Sequence, residues 1–301
     1  MTMKSWKPRS KNIMIYRLRH ATTYEYAEPV VLGTHFMHLL PRERPGQTIR
    51  EAQLDISPNP DSRRNETDHF GNATTTISLT TPHKEFIVSL SATVEVCQPS
   101  PPTPEDAPRW EAMAAYGLQD VSVAEFCLPS PLARPTGEIA DYATLSFPPG
   151  RSALTGLLEL NARIWQDMTY RGGVTNNATT AAQTLNSRVG VCQDYAHLML
   201  ACLRALGLPG RYVSGYLRTL PPAGQTKRRG ADQSHAWISA WLGADTGWVD
   251  FDPTNNLLVR DEHVTLAWGR DFQDVSPLRG IILGGGRHSL QVNVDLEPVL
   301  T

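Results

Sequence analysis

The chain of 301 residues has no apolar run of the roughly 18 residues that a membrane-spanning helix requires, so no membrane span is expected. Residues 1–14 are basic and polar and lack the apolar stretch of a secretory signal. Cysteine is scarce. Only Cys97, Cys127, Cys192 and Cys202 occur, and no CxxC pair is among them. If Cys192 and Cys202 share a helix, a rise of ~1.5 Å per residue sets them roughly 15 Å apart, beyond the ~7 Å reach of a disulfide. A reducing, cytoplasmic location follows as the expectation. Without export, the Asn-x-Thr triplets at Asn65, Asn72 and Asn177 carry no weight as glycosylation acceptors. Neither sign of charge is in excess: 28 Lys and Arg face 30 Asp and Glu, for a formal net charge of -2. That balance speaks against a nucleic-acid partner and against a solvating acidic chain.

What is present suits folded domains with an ordinary core. The hydrophobic fraction is 41% and the charged fraction 19%, and the length suits about two domains. Residues 13–97 read as a β-sandwich-like N-terminal domain. Tyr16-Arg17-Leu18-Arg19-His20, Ala52-Gln53-Leu54-Asp55-Ile56 and Ala92-Thr93-Val94-Glu95-Val96 alternate with period two, and Asn59-Pro60 and Phe70-Gly71-Asn72 read as turns between strands. Asp68 and His69, just before the second turn, read as a polar turn. Pro99, Pro101, Pro102, Pro104 and Pro108 stiffen the next stretch and mark a boundary, so 98–150 is expected to be a Pro-rich linker and connecting segment. The core is expected over 151–265, opening with an amphipathic helix that carries Leu154, Leu157, Leu158, Leu160, Ile164, Trp165 and Met168. Residues 266–301 form a tail with a strand packed on the domains.

Three residues sit in matched chemical settings. Cys192 opens a helical run whose apolar positions Tyr195, Leu198, Met199, Cys202, Leu203 and Leu206 step by three and one, and Gly207 and Pro209 end it. A cysteine at a helix N-terminus meets unpaired N–H groups and the positive end of the dipole, which favour the thiolate. The Cys192 N–H can also point at a developing oxyanion. His235, Trp237, Ser239 and Trp241 share one face of a strand, and Trp248, Asp250 and Asp252 one face of the next. A hairpin centred between residues 243 and 244 would set His235 opposite Asp252, where a carboxylate can orient the imidazole. Taken singly, a cysteine is more often a small buried hydrophobe, and an Asp before Pro253 is more often a turn starter. The three in order carry the inference. His197 lies roughly 140° around the helix from Cys192 and reads as a supporting or solvent-facing histidine. No metal site is expected from Cys192, His197 and His235.

These residues resemble the transglutaminase-like superfamily, in its bacterial branch with a β-rich N-terminal region. The resemblance rests on Gly190-Val191-Cys192-Gln193-Asp194-Tyr195-Ala196-His197, Arg211-Tyr212-Val213-Ser214-Gly215-Tyr216, Ser234-His235-Ala236-Trp237 and Gly247-Trp248-Val249-Asp250-Phe251-Asp252-Pro253-Thr254-Asn255. Outside the core it rests on His20 with Tyr24-Glu25-Tyr26, Leu40-Pro41, Asp68-His69-Phe70-Gly71-Asn72, and the tail from Gly269 to Gly280. It implies an α+β, papain-like (cysteine proteinase-like) core with Cys192 as nucleophile, His235 as base and acid, and Asp252 as orienter. The superfamily holds cross-linkers, peptidases and amide hydrolases alike. A peptide or protein amide is the expected substrate, with hydrolysis favoured over transamidation, while a non-catalytic binding module is the rival class. No cofactor is expected, and no Asp-x-Asp-x-Asp-Gly calcium loop occurs. Gln193 and Tyr170 are candidates for a second oxyanion donor, and Trp237 for a cleft wall. Oligomeric state is not readable.

Overall fold

The computed structural model describes residues 13–97, 100–104, 107–219 and 232–299. Pro99, most of the basic N-terminal stretch and the polar insert carrying Lys227-Arg228-Arg229-Gly230 lie outside the described residues.

The first third of the chain forms strands β1 (Met14–Met37), β2 (Gln47–Ser57), β3 (Ser62–Thr67), β4 (Ala73–Leu79) and β5 (His83–Val96). Helices α1 (Trp110–Gly117), α2 (Val121–Ala124), α3 (Gly137–Thr144) and α4 (Ala153–Asp167) follow. Next come β6 (Thr169–Tyr170), α5 (Ala181–Ser187), β7 (Val189–Gly190), α6 (Cys192–Ala205), β8 (Gly210–Leu217), β9 (Gln233–Trp241), β10 (Trp248–Asp252), β11 (Leu257–Leu258) and β12 (His263–Gly269). The last elements are α7 (Phe272–Val275), β13 (Leu278–Gly284) and β14 (His288–Pro298).

The β-rich N-terminal region is a seven-stranded sheet built on β1, and its alternation is the one in the sequence: Tyr16, Leu18, Leu90, Ala92, Val94 and Val96 point into the core. β1 is long enough to serve two sets of neighbours. Its first half, to Glu25, pairs with β5 and β14, and its second half, from Val30, pairs with β4 and β13. The register slips between Glu25 and Val30, where the partners change. The tail therefore adds two strands to this sheet.

Polar side chains join that sheet to the rest. The Asp68 carboxylate accepts the N–H groups of Phe70 and Asn72 and so holds the turn seen in the sequence. It also pairs with His38 at 3.0 Å, while Asn72 bonds both the N–H and the carbonyl of Trp268 in β12. Gln47 clasps Thr265 in the same manner, at 2.8 Å on each side of its amide.

The core sheet is antiparallel, in the order β11-β10-β9-β8-β12, with α6 packed on β8 and β9. The spacing of apolar residues predicts one buried face for α6. The helix is instead buried almost all round, because α3, α4 and α5 cover the side away from the sheet. Enclosed Arg204 bonds the Ser130 hydroxyl and the carbonyls of Ala133 and Arg270 through its terminal nitrogens. α4 forms where the pattern predicts it, with Leu154, Leu157, Leu160 and Ile164 buried, although Leu158 and Trp165 face outward.

The hairpin register differs from the expectation. Trp248 pairs with Trp241 and Phe251 with Ile238, so Asp252 falls opposite Trp237 rather than His235. The connection is longer than a tight turn: the Leu242 N–H bonds the Gly247 carbonyl, and Gly243 and Gly247 take positive φ. The slip is two residues, which preserves faces. His235 and Asp252 thus become diagonal neighbours on the same side of the sheet.

Among the described residues, no helix is long and apolar enough to cross a membrane. All four cysteines are free.

Candidate active site

Cys192 is the first residue of α6 and is half-buried. Its approach is fixed by Gly190, where a Cβ would lie 2.7 Å from that of Asp194, so the chain can pass only without a side chain. Asp194 accepts the Val191 N–H at 2.8 Å and the Thr175 hydroxyl at 2.7 Å, closing the first turn of the helix. Burial pushes the Asp194 carboxyl above its ordinary pKa, opposed by those two hydrogen bonds. The Cys192 N–H has no hydrogen-bond partner among the described residues, as befits the first turn of a helix.

His235 and Asp252 come to the same place from β9 and β10. Nε2 of His235 donates to Oδ2 of Asp252 over 2.8 Å, and both side chains are buried. Because a carboxylate only accepts, this bond puts the proton on Nε2 and leaves Nδ1 for the Cys192 sulfur. Burial alone would lower the His235 pKa. Hydrogen bonds and negative charge from Asp252 and Cys192 outweigh it and push the imidazole up to about 10. Burial works against the Asp252 carboxylate too, yet His235 and His263 hold its pKa well below the usual range.

The sequence reading missed much of the support around Asp252. Its Oδ1 accepts the N–H groups of Thr254 and Asn255, the turn that Pro253 starts. Its Oδ2 accepts the Asn255 side-chain amide at 2.7 Å and His263 Nε2 at 3.3 Å in addition to His235. Asn255 stood within the motif; His263 had no local signal. His235 Nε2, Asp252 Oδ2 and His263 Nε2 lie within 4.8 Å of one another, the combination with ligand chemistry for a metal. At 2.8 Å the carboxylate and His235 leave no space for an ion between them, so the cluster reads as a hydrogen-bonded pair of imidazoles sharing one carboxylate.

The three secondary candidates separate. The parallel pairing of β6 with β7 sets Tyr170 beside Gly190, two residues before Cys192. Its ring is 53% exposed. Burial of the hydroxyl end, with Cys192 and Asp194 nearby, raises its pKa and keeps it a donor. Gln193 is turned toward the Asn177 carbonyl at a long 3.5 Å. Trp237 is not a cleft wall: it is fully buried, with Nε1 3.4 Å from Asp250 Oδ2 and its ring edge-on to His263. It backs the His235 site from inside the protein. His197 is also wholly buried rather than solvent-facing. It accepts the Phe272 N–H and lies against Tyr212, and burial lowers its pKa to about 3.

Two family models match the chain: the bacterial transglutaminase-like N-terminal region over residues 16–95 and the transglutaminase-like superfamily over 150–253. An uncharacterized protein of Mycobacterium tuberculosis is 38% identical over 290 residues, covering 94% of this chain and 92% of that protein. The chain belongs to the transglutaminase-like superfamily. A segment of a Pseudomonas aeruginosa protein-glutamine gamma-glutamyltransferase is 40% identical to this transglutaminase-like chain over 70 residues, 23% of this chain and 10% of that protein. The crystal structure of a candidate cysteine protease from Cytophaga hutchinsonii aligns with a TM-score of 0.76 at 24% identity, covering 96% of this chain and 92% of the other. That likeness establishes the fold of the transglutaminase-like chain: a cysteine-proteinase-like α+β core beside a β-rich N-terminal region.

Proposed function

We propose that this protein is a thiol-dependent acyl-transfer enzyme that hydrolyses peptide or isopeptide-like amides through Cys192, His235 and Asp252. The observation that carries the reading is the Asp252–His235 hydrogen bond at 2.8 Å beside a cysteine at a helix N-terminus. The Cys192 thiolate attacks the amide carbonyl, and the oxyanion is met by the Cys192 N–H and the Tyr170 hydroxyl. His235 passes its proton to the leaving amine, and a thioester remains. Water, deprotonated by His235, then releases the acid and restores the thiol. Asp252, steadied by Asn255 and His263, keeps the imidazole oriented throughout. Residues 151–265 are the catalytic unit in this reading, and 13–97 with the tail are its scaffold. The four free cysteines support a reducing, cytoplasmic location.

Transamidation is the second reading. It is favoured by the segment shared with a protein-glutamine gamma-glutamyltransferase and needs an amine to reach the thioester before water does. The test is release of ammonia or amine from glutamine-containing peptides, with and without a labelled primary amine. Hydrolysis gives free acid whether or not the amine is present, whereas transamidation gives incorporated label. Full turnover by the Cys192→Ala variant would refute both. A non-catalytic binding module would leave Cys192 no more reactive toward alkylation than an ordinary thiol.

A further inference from the structure

One large cavity among the described residues holds none of the three site residues. It measures about 900 Å³ and opens between Arg44 and Pro45 of the N-terminal half, Pro101 and Pro102, and the strands of the core. Trp237, whose ring centroid lies 6.1 Å from that of His235, has its Nε1 3.4 Å from Oδ2 of Asp250, a residue of the cavity lining.

Arg211 reaches this cavity from β8 and is only 6% exposed. Its guanidinium is clamped between two indoles, 3.5 Å from the Trp268 ring centroid and 4.2 Å from that of Trp248. Stacking satisfies the faces of the cation but not its N–H edge. Nε is sealed from solvent without a hydrogen-bond partner, and the guanidinium donates to no acceptor among the described residues. Burial pulls its pKa well below the ordinary value despite the nearby Asp250 charge. A buried cation that donates nothing is costly unless something else completes it.

The surroundings specify the ligand. Arg44 is engaged by Asp250 at 2.6 Å, so Arg211 supplies the free fork, with Arg260 exposed at the rim. Asp250 and Asp245 also line the space and disfavour a multiply charged anion. Val249, Leu258, Val259 and the two indoles make the remaining wall apolar. We propose that this cavity is a second binding site, for a monoanionic carboxylate with an apolar side chain, as at the C-terminus of a peptide or in an N-acyl amino acid. Arg211 takes the carboxylate in its fork, and the apolar group lies along the indoles.

The test is calorimetric titration of the full-length Cys192→Ala protein, in which turnover plays no part, with N-acetyl-leucine, N-acetyl-leucinamide, 4-methylpentanoate and N-acetyl-alanyl-leucine. The expected result is that the two acids, N-acetyl-leucine and 4-methylpentanoate, each bind at least about tenfold more tightly than the amide. Trp248 and Trp268 should report binding through a change in indole fluorescence. Tighter binding of the acetylated dipeptide than of N-acetyl-leucine identifies a peptide terminus as the occupant, and the reverse a free N-acyl amino acid. Arg211→Lys should lose at least about tenfold in affinity, because one ammonium cannot reproduce the fork. If that variant does not fold, the exposed-rim variant Arg260→Gln should still weaken acid binding about threefold and leave amide binding unchanged. Equal affinity for acid and amide, or no binding of any probe by about 10 mM, overturns the proposal. Because thiol chemistry is absent from the assay, that failure leaves the Cys192 reading untouched.

Discussion

Asp252→Asn tests the logic of the site most directly. The carboxylate accepts from His235, Asn255 and His263 on Oδ2, and from the Thr254 and Asn255 N–H groups on Oδ1. Asparagine keeps the volume but turns one of these acceptors into a donor. If its NH₂ takes the Oδ1 position, it confronts two backbone N–H groups; if it takes the Oδ2 position, it confronts His235. His235 escapes that clash by moving its proton to Nδ1, where it can no longer take one from the thiol. The same substitution in a serine triad costs about 10⁴-fold in kcat. At about 1.36 kcal/mol per tenfold, that is about 5.4 kcal/mol of transition-state stabilisation. Protonation moves with it. Asp252 helps hold the His235 pKa at about 10, so the imidazolium faces the sulfur through neutral pH. In the variant it sheds its proton at lower pH, and iodoacetamide labelling of Cys192 at pH 6 should fall at least about tenfold. Stability has a matching window. The raised pKa of His235 gives stabilisation that is complete below its ordinary 6.5 and lost as pH climbs to about 10. The depressed pKa of Asp252 gives stabilisation present above its ordinary 3.8 and lost as pH falls below it. The gap in Tm between wild type and variant should therefore be widest between about pH 4 and 6.5. A variant with kcat within about threefold of wild type and unchanged labelling refutes the orienting role.

Three further outcomes follow from the geometry. Limiting iodoacetamide should modify Cys192 while sparing Cys127 and Cys202, whose thiols burial pushes up to about 11 and about 12, and peptide mapping of the alkylated protein reads this directly; labelling of Cys202 ahead of Cys192 contradicts it. Tyr170→Phe should lower kcat about 10²-fold with little change in KM, since an oxyanion donor acts in the transition state alone; a change confined to KM would make Tyr170 a substrate-binding residue. Gly215→Ala should cost roughly 2–4 kcal/mol in chemical denaturation, because the new Cβ would lie 2.2 Å from the Val264 carbonyl oxygen and 2.4 Å from the Trp237 ring.

The meeting of His235 with Asp252 and the place of Cys192 at the start of α6 were legible in the sequence because each residue stands at or near the end of a regular element, where a short motif records both the residue and its setting. The strand alternation was legible because one face of the sheet is buried. The hairpin register was not, since Gly243 and Gly247 permit a longer connection than a two-residue turn, and no local pattern counts turn residues. His263 was illegible for a different reason. It reaches Asp252 because β12 lies beside β8, and β8 beside β9, an order set by tertiary pairing. The full burial of α6, and with it of His197, depends on helices α3 and α5 that the spacing within α6 cannot report. Arg211 was read as part of a strand motif; its isolation from any acceptor emerges only when Trp248 and Trp268 close on it.

The long strand β1 also orders events during synthesis. Tyr16 is made long before its partner in β14, Pro298, with the helices and strands of the core in between. While α6 and the core strands leave the ribosome, one margin of β1 stays open, its N–H and C=O groups answered by water. The sheet can be completed only after the chain has passed through the core and come back. The nascent protein thus carries Cys192 before its seven-stranded sheet is finished, and a core made without that sheet would lack Asn72 and Gln47, which grip Trp268 and Thr265.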